Sequence, residues 1–455
     1  MKRYLAIDIG ASSGRHIVGW VDEGKIVAEE VYRFANNCEM RDGHLVWDIA
    51  HLFSQVKEGL KQAFSKYGDI ASVSVDTWAV DYVLMKGEEE ILPCYAYRDS
   101  RTESVIEQVH AKIPFAELYA RTGIQFQPFN TVYQLYADKL EGRLARATDY
   151  LMLPEYLMYK LTGVRATEYT NATSTGLVNA KTRRFDEEIL SKLGLDAKMF
   201  RTPLAPGTSL GRFLPEVRKE VGGDAEVVLC ATHDTASAVL AAPLKDQAVP
   251  YISSGTWSLL GVEQANAHTD VQSLGNNFSN EGSPDGFRYQ KNIMGLWTLQ
   301  SVRRELGGIS FPEMMKMAQE SDCPALVDCN DRAFLAPKSM RKAVCEKAGQ
   351  ALSDGQIVRC IYESLAKSYA EAVGQLSCVL SVKFDRLHII GGGCRDAFLN
   401  SLTAKRTGLE VVAGPVEATS LGNLLVQMIA GGDFEGIAQG RAAIEASFGL
   451  EKYSA

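Results

Sequence analysis

The alternation of apolar and polar positions at the start of the chain predicts strands joined by tight turns and followed by an amphipathic helix. The apolar run Tyr4–Ile9 leads into a turn of small residues, and strand-like composition resumes at 16–21 and at 25–34. Asp48 precedes an apolar stripe with helical spacing, so we expect it to cap that helix. With 70–75 as the next strand, the order β-β-β-α-β indicates a mixed α/β sheet that opens with antiparallel strands.

The same opening recurs in the second half of the chain. The apolar stretch 249–252 leads into a turn of serine, glycine and threonine at 253–256, and strand-like residues follow at 257–262. Further along, the strand 387–390 ends at three consecutive glycines, 391–393. This recurrence predicts a duplicated fold with its junction at 243–250, giving domains 1–243 and 244–455. If the halves face each other, both turns lie at the mouth of one central cleft.

Bulk composition limits the classes of function. The 455 residues exceed what one hydrophobic core usually serves, which favours two domains. A net charge of −8 without a basic block argues against nucleic acid or an acidic membrane as partner. No run of roughly 18 apolar residues predicts a membrane span, and Asp8 interrupts the first apolar run too early for a secretory signal. The nine scattered cysteines indicate reduced thiols and a cytoplasmic protein, and whether Cys345 and Cys360 ever pair stays open.

The first turn has the composition of a nucleotide phosphate site. Between Asp8 and Arg15, glycines allow backbone N–H groups to approach an anion and two serines add hydroxyl donors. The Asp8 carboxylate at the strand end is suited to Mg²⁺, held through water. No Gly-x-x-x-x-Gly-Lys-Ser/Thr motif occurs, which excludes a P-loop protein. An ordinary hairpin with an Asp-capped turn is the alternative interpretation.

Three further groups of residues carry candidate chemistry. The second turn offers donors, and Gly391, Gly392 and Gly393 leave room for a flat group such as adenine or ribose. Asp234, after His233, is either a helix cap or a general base that takes the proton of an attacking hydroxyl. Carboxylates and aromatic rings at 76–81 and 97–101 suit sugar hydroxyls and the apolar face of a sugar ring, although surface charge also explains such clusters.

In this order along almost the whole chain, these motifs resemble the FGGY family of carbohydrate kinases. The segments that carry the resemblance are DIGASSGR (8–15), VDTW (75–78), AYRDSR (96–101), GIQF (123–126), EYTNAT (168–173), HDTASAV (233–239), SSGTWS (253–258), KNIMGLW (291–297), GGG (391–393) and GPVEA (414–418). The resemblance is strongest to the members that act on L-rhamnulose. It implies an α/β fold with two actin-like, ribonuclease H-like ATPase domains around a central cleft.

The resemblance also implies an activity and a set of site residues. The expected reaction is ATP-dependent phosphorylation of L-rhamnulose to L-rhamnulose 1-phosphate in L-rhamnose catabolism, with Mg²⁺ as cofactor. The N-terminal domain would bind sugar and phosphate, and the C-terminal domain the nucleotide. By position, Asp234 corresponds to the proton acceptor. The sugar contacts correspond to Ala79, His233, Asp234, Thr235 and Asn292, and the ATP contacts to Ala11, Ser12, Ser13, Gly14, Arg15, Thr256, Gln300 and Gly392.

Two departures from the family pattern keep alternatives open. Ala79 stands where the L-rhamnulose kinases have a glycine close to the sugar, and Ser283 replaces the second glycine of an Asn-Glu-Gly-Gly motif. The added methyl group at Ala79 would narrow the pocket, so another ketose, such as L-fuculose or a pentulose, is an alternative substrate. From another class, an ATP-driven chaperone or filament protein would share the fold. A monomer or a homodimer is expected.

Overall fold

The structure is a computed structural model that describes residues 1–245, 249–323 and 325–455. The chain forms two compact units. The first unit comprises residues 1–243, 264–289 and 418–447, and the second comprises 244–263, 290–417 and 448–455. The predicted junction 243–250 includes residues 246–248, which lie outside the described residues. The predicted domains, 1–243 and 244–455, stay a prediction.

The first unit contains most of the secondary structure. Its strands are Tyr4–Ile9, Ser13–Asp22, Lys25–Ala35, Glu39–Arg41, His44–Trp47, Ser72–Thr77, Tyr82–Lys86, Glu89–Ile91, Cys94–Tyr95, Asp149–Met152, Ser209–Arg212, Glu226–Val228 and Ser279–Ser283. Its α-helices are Ile49–Tyr67, Ile106–Lys112, Phe115–Thr122, Thr131–Leu140, Leu153–Thr162, Tyr169–Ser174, Glu187–Leu193, Pro215–Val221, Asp234–Ala241, Val271–Gly275, Ala418–Ala430 and Ile437–Ser447.

The second unit is smaller. Its strands are Tyr251–Ser254, Trp257–Gln264, Gly286–Met294, Arg386–Ile390, Glu410–Ala413 and Glu451–Tyr453; the boundary between the units runs within the second and third of these. Its α-helices are Trp297–Glu305, Phe311–Gln319, Met340–Ala348, Asp354–Leu380 and Ala397–Thr407. In the part of the chain that is described, no helix combines the length and the hydropathy that a membrane span requires.

The main sheet of the first unit sets the positions of the candidate site residues. Tyr4–Ile9 pairs antiparallel with Ser13–Asp22 and parallel with Ser72–Thr77. Parallel pairing places Asp8 directly opposite Asp76, and the hairpin places Asp8 opposite Arg15. The sheet continues with Lys25–Ala35 on one side and with Glu226–Val228 and Ser209–Arg212 on the other. The carboxyl ends of adjacent parallel strands therefore bring two carboxylates together.

Most predicted elements of this unit are confirmed, with one shift. The helix Ile49–Tyr67 begins after Asp48, whose side chain accepts a hydrogen bond from His51 N, as the capping prediction requires. The strand predicted at 70–75 instead runs from Ser72 to Thr77. Ile70 is buried but belongs to the preceding turn, and the pairing begins only where Tyr4 meets Ser72. The predicted strand began two residues too early because Ile70, although apolar and buried, precedes the strand.

The sheet of the second unit repeats the pairing of the first. Tyr251–Ser254 pairs antiparallel with Trp257–Gln264 and parallel with Arg386–Ile390, which pairs parallel with Glu410–Ala413. In the first unit, Tyr4–Ile9 has the same relation to its hairpin partner and to two successive parallel strands. The duplication that the recurring turn predicted is therefore confirmed in the order of the strands.

Candidate functional site

A rigid turn of small residues follows the first strand. Gly10 N donates to Ser13 O over 2.9 Å, and Asn36 donates from its side chain to Gly10 O (2.9 Å) and from its backbone to Ser12 O (3.1 Å). Gly14 is required here, because a Cβ atom would lie 2.2 Å from the Phe34 ring. Ala11 is partly exposed and Ser12 is exposed. The predicted phosphate turn is therefore a preformed loop with small residues at its surface.

Two buried carboxylates lie at the base of this turn. Asp8 is 6% exposed and Asp76 is fully buried. Burial, and then the charge of Asp8, raise the pKa of Asp76 well above its usual value, and the charge of Asp234 acts in the same direction. Asp76 Oδ1 is buried and has no hydrogen-bond partner among the described residues. Arg15 Nε lies 3.6 Å from Asp8 Oδ2. Two acidic side chains therefore lie close together beside the turn, and Asp76 holds its proton more strongly than an ordinary aspartic acid.

A helix from the far end of the chain supplies donors to both carboxylates. In Ala418–Ala430, Ser420 Oγ donates to Asp8 Oδ2 (3.0 Å) and Asn423 Nδ2 donates to Asp76 Oδ2 (2.6 Å). Gln427 Nε2 donates to Leu5 O (3.0 Å). These polar residues share one helix face because of their spacing. The sequence analysis missed them; the spacing signals a polar stripe in an apolar helix but does not indicate what it contacts.

Asp234 begins a helix beside the strand that carries Asp76. Thr77 N donates to Thr232 O (3.0 Å), and His233 forms a parallel bridge with Thr77. The N-cap position of the helix Asp234–Ala241 is His233. Asp234 Oδ1 accepts from Thr235 N (2.5 Å) and Thr235 Oγ1 (3.1 Å), whereas a capping side chain bonds to residues further into the helix. This geometry does not fit the capping interpretation and leaves Asp234 partly exposed.

His233 lies between Asp234 and a buried ion pair. Its Nε2 is 3.4 Å from Asp234 Oδ1, and its Nδ1 is 3.2 Å from Arg288 Nη2. Arg288 is fully buried and donates to Glu281 Oε2 over 3.1 Å. The sequence analysis quoted Glu281 only as part of a motif and missed Arg288, since no local pattern distinguishes a buried arginine on a strand from an exposed one.

A pair of buried glutamates holds the segment before His233. Thr232 Oγ1 donates to Glu155 Oε1 (2.8 Å) and to Glu168 Oε2 (3.0 Å), and Glu168 Oε2 also accepts from Thr232 N (3.1 Å). Burial, together with the charge of Glu168, raises the pKa of Glu155 to about 8. Burial also raises the pKa of Glu168. The conformation of the loop that presents Asp234 thus depends on two carboxyl groups in its interior.

Asp81, in the predicted sugar cluster at 76–81, has a structural role. Asp81 is fully buried, and its Oδ2 accepts from Trp47 Nε1 (2.7 Å), Trp78 Nε1 (2.8 Å) and Tyr97 N (3.1 Å). Burial raises the pKa of Asp81 to about 6. The interpretation of Asp81 as a sugar ligand is therefore wrong, because its oxygens are occupied by the protein. Ala79, two residues before it, is partly exposed, and Asp81 N donates to Ala79 O (2.9 Å).

Two charged residues of the cluster at 97–101, Asp99 and Arg101, also have partners within the protein. Asp99 Oδ2 accepts from Leu45 N (2.7 Å), and Arg101 Nη1 is 2.9 Å from Asp138 Oδ1. The side chains of Arg101 and Asp138 are 4% and 1% exposed. These charges are paired inside the protein, as buried charges require. Neither surface charge nor sugar binding, the two interpretations of the sequence, describes them.

In the second unit, the second turn anchors a helix and packs against the glycines. Gly255 O accepts from Leu296 N (3.0 Å) and Thr256 O accepts from Trp297 N (3.2 Å), where the helix Trp297–Glu305 begins. Gln300 lies one turn into this helix. A Cβ atom on Gly393 would lie 2.0 Å from Ser254 Oγ, whereas one on Gly392 would have open space. The turn that contains Thr256 is thus hydrogen-bonded to the start of the helix that carries Gln300, and it packs beside the glycine segment.

Asn292 and the other predicted sugar contacts belong to different units. It lies on Gly286–Met294 in the part assigned to the second unit, whereas Ala79, His233 and Thr235 belong to the first. Thr235 is buried and bonds to Asp234. The role of Asn292 at the sugar stays a prediction.

Comparisons with known proteins show the family to which the chain is related. Residues 3–241 match the N-terminal domain of the FGGY family of carbohydrate kinases, and residues 250–431 match its C-terminal domain. The chain is 43% identical to a rhamnulokinase of Halalkalibacterium halodurans over 463 residues, covering 100% of this chain and 99% of that protein. It is 41% identical to the rhamnulokinase of Bacillus subtilis, covering 99% of this chain and 95% of that protein.

Solved structures share the fold at low sequence identity. A xylulose kinase from Lactobacillus acidophilus superposes with a TM-score of 0.82 at 16% identity, over 100% of this chain and 94% of that one. A glycerol kinase from Plasmodium falciparum, solved with ADP, gives a TM-score of 0.77 at 13% identity, over 99% and 94%. These likenesses show the fold. The two matched domains, which span most of the chain, and the rhamnulokinases at about 40% identity identify a sugar kinase, an enzyme with an alcohol group as acceptor. The chain belongs to the FGGY family of carbohydrate kinases.

Proposed function

We propose that this enzyme transfers the γ-phosphoryl group of ATP to L-rhamnulose and forms L-rhamnulose 1-phosphate, a step in the breakdown of L-rhamnose. The observation that carries the proposal is the similarity of the whole chain to several rhamnulokinases, with identity above 40% for the two named above. Relatedness at this level over full length supports a shared substrate more strongly than the fold does, because the fold hosts kinases for several sugars.

In this proposal Asp234 is the proton acceptor. Phosphoryl transfer has a loose transition state, so the base mainly orients the sugar hydroxyl and takes its proton late. Asp234 suits this task because it is partly exposed, while His233 and Thr235 hold one of its oxygens. His233, Thr235, Ala79 and Asn292 are the proposed sugar contacts.

The proposed ATP contacts fall into two groups. Ala11, Ser12, Ser13, Gly14 and Arg15 form the turn whose backbone and hydroxyl donors would bind phosphate oxygens. In the second unit, Thr256, Gln300 and Gly392 are the proposed nucleotide contacts. Gly392 is exposed, and the space over its Cα atom suits a flat nucleoside group.

The carboxylates of the first unit suit Mg²⁺. Asp76 Oδ1 is buried without a hydrogen-bond partner among the described residues. Burial, and then the charge of Asp8, raise the pKa of Asp76, and a nearby cation would oppose both effects. In the described ranges, no group of three or more His, Cys, Asp or Glu side chains is arranged to hold a metal ion directly. Asp8 is the proposed Mg²⁺ residue, and it would hold the ion through water, as this ion prefers. When bound, the ion neutralises charge on the transferred phosphoryl group.

The test is a coupled assay of ADP release with a panel of ketoses. L-rhamnulose is expected to give the highest kcat/KM, and a preference for L-fuculose or a pentulose would overturn the proposed substrate while leaving the family assignment intact. ATP hydrolysis that no sugar stimulates would favour the chaperone or filament alternative. We further propose that the enzyme works in the cytoplasm, as a monomer or a homodimer, which light scattering would distinguish.

A further inference from the structure

We propose that Arg288 is a positioning residue that acts through the ring of His233 and determines which oxygen of Asp234 accepts the proton of the sugar. The proposal rests on the proposed role of Asp234 as the base. It is carried by the contacts between Arg288, Glu281, His233 and Asp234, all within the first unit.

The guanidinium group of Arg288 is held in one orientation. It is fully buried, its Nε donates to Gly282 O (3.1 Å), and its Nη2 donates to Glu281 Oε2 (3.1 Å). The peptide of Gly282 is fixed in turn, because Gly282 N donates to Thr173 Oγ1 over 2.8 Å. A planar guanidinium held at two of its nitrogens cannot rotate to present another edge. Nη2 therefore stays directed towards both Glu281 and His233.

This orientation decides where the ring proton of His233 lies. Arg288 Nη2 is 3.2 Å from His233 Nδ1, and a guanidinium group can only donate hydrogen bonds. With Arg288 as the donor, Nδ1 carries the lone pair, and the proton of a singly protonated ring lies on Nε2. Nε2 is the nitrogen 3.4 Å from Asp234 Oδ1. Arg288 thus sets the tautomer in which the positive edge of the ring faces the carboxylate.

The alternative tautomer of His233, with the proton on Nδ1, has a hydrogen-bond acceptor within reach. Arg288 is therefore needed to disfavour it. Glu281 Oε2 lies 3.2 Å from His233 Nδ1 and would accept a proton carried by that nitrogen. Without Arg288, an Nδ1–H group would donate to Glu281, and the Nε2 lone pair would face Asp234 Oδ1. Two lone pairs directed at each other repel, which would turn the Asp234 carboxylate away from its present position.

The two carboxylate oxygens of Asp234 consequently differ in their hydrogen-bond partners. Oδ1 meets His233 Nε2, Thr235 N and Thr235 Oγ1. Oδ2 has no hydrogen bond among the residues that the structure describes. Donors on Oδ1 fix the carboxylate plane and leave the lone pairs of Oδ2 for the attacking hydroxyl. Oδ2 is thus the oxygen that takes the proton of the sugar. Arg288 orients His233, and His233 in turn orients Asp234.

The experiment combines ring-nitrogen NMR of ¹⁵N-histidine-labelled enzyme with steady-state kinetics. The seven histidines give few signals, and those of His233 are assigned from their loss in His233→Gln. In the unsubstituted enzyme we expect the Nε2–H tautomer, and in Arg288→Met the Nδ1–H tautomer. The kcat for sugar phosphorylation should fall about 10- to 100-fold in Arg288→Met, part of the usual contribution of a positioned base, with the KM for ATP unchanged.

Glu281→Gln is the matched control. Its amide oxygen still accepts from Arg288, so the Nε2–H tautomer should persist and kcat should exceed that of Arg288→Met. An Nδ1–H tautomer in the unsubstituted enzyme would overturn the proposal, and that measurement requires no variant to fold. An unchanged tautomer in Arg288→Met, or a rise in sugar KM with normal kcat, would also overturn it. Because the NMR needs no substrate, an enzyme inactive on every ketose would refute the proposed function separately.

Discussion

The side-chain amide of Asn423 donates a 2.6 Å hydrogen bond to Oδ2 of Asp76, across 347 residues of sequence. This bond joins the helix Ala418–Ala430 to the strand Ser72–Thr77, where Asp76 stands opposite Asp8. Among the described residues, Asn423 is the hydrogen-bond donor to a carboxylate that burial shields from water. The candidate phosphate and metal region of the first unit is thus completed by a residue from the end of the chain.

We expect Asn423→Leu to destabilise the first unit. The change removes the donor to a fully buried carboxylate, and an unsatisfied buried acceptor costs about 1–3 kcal/mol. Denaturant unfolding should show a loss of that size in the free energy of unfolding. Asn37→Leu, the same substitution at an exposed position, is the control and should have little effect. Equal stability of both variants would contradict the role assigned to Asn423.

Asp234→Asn should abolish most of the turnover without affecting the fold. An amide keeps the shape of the carboxylate but cannot take the proton, and a positioned base usually contributes about 10²–10⁴-fold. We expect kcat to fall within that range while the dissociation constant for ATP, measured calorimetrically, stays the same. Asp69→Asn at an exposed position serves as control. Turnover close to that of the unsubstituted enzyme would show that another group accepts the proton.

Glu155→Gln should change how stability depends on pH. The pKa of Glu155 is raised from 4.5 to about 8 by burial, so the folded protein keeps this proton over a range in which the unfolded chain releases it. The free energy of unfolding therefore falls as pH rises through this window, by up to about 1.4 kcal/mol per pH unit. The variant lacks this proton and should show a flatter dependence.

The measurement for Glu155→Gln is reversible urea unfolding between about pH 5 and pH 8. Glu88→Gln, at an exposed position, should follow the unsubstituted protein. Parallel curves for all three proteins would show that Glu155 does not hold a proton in the folded state.

Ala79→Gly should change the choice of sugar. Removing the methyl group widens the proposed pocket, and one methyl-sized change in a pocket is worth roughly 10-fold or more in discrimination. We expect the kcat/KM ratio of L-rhamnulose to a pentulose to rise, because the larger ketose gains more from the added space. Ala71→Gly, at the exposed start of the same strand region, is the control. A ratio that is equal in both variants would place Ala79 away from the sugar.

Two neighbouring glycines of the second unit should separate stability from nucleotide binding. In Gly393→Ala the new Cβ atom would lie 2.0 Å from Ser254 Oγ, so packing must shift and the melting temperature should fall. In Gly392→Ala the Cβ atom meets no atom within 4 Å, so the melting temperature should hold while ATP affinity falls. For both variants, calorimetry measures the ATP affinity and thermal unfolding measures the melting temperature. Unchanged ATP affinity in Gly392→Ala would remove this residue from the nucleotide site.

Local patterns predicted the elements that depend on local physics. The hairpin after Tyr4–Ile9 and the cap at Asp48 are decided by residues close in sequence, and both were predicted. The turn at 10–15 was identified in the same way. Asp81 was misinterpreted because composition does not reveal burial, and its donors come from Trp47 and Gln134. Arg288, Ser420 and Asn423 were missed because their partners lie 55, 412 and 347 residues away.

The inclusion of residues 418–447 in the first unit has a consequence for biosynthesis. The ribosome releases Asp8 and Asp76 long before it makes Ser420 and Asn423, the donors to these carboxylates. Throughout translation of residues 244–417, the nascent N-terminal sheet therefore lacks the helix that finally covers this edge. Folding of the first unit is completed only after nearly all of the second has emerged, so neither half of the gene encodes a finished half of the enzyme.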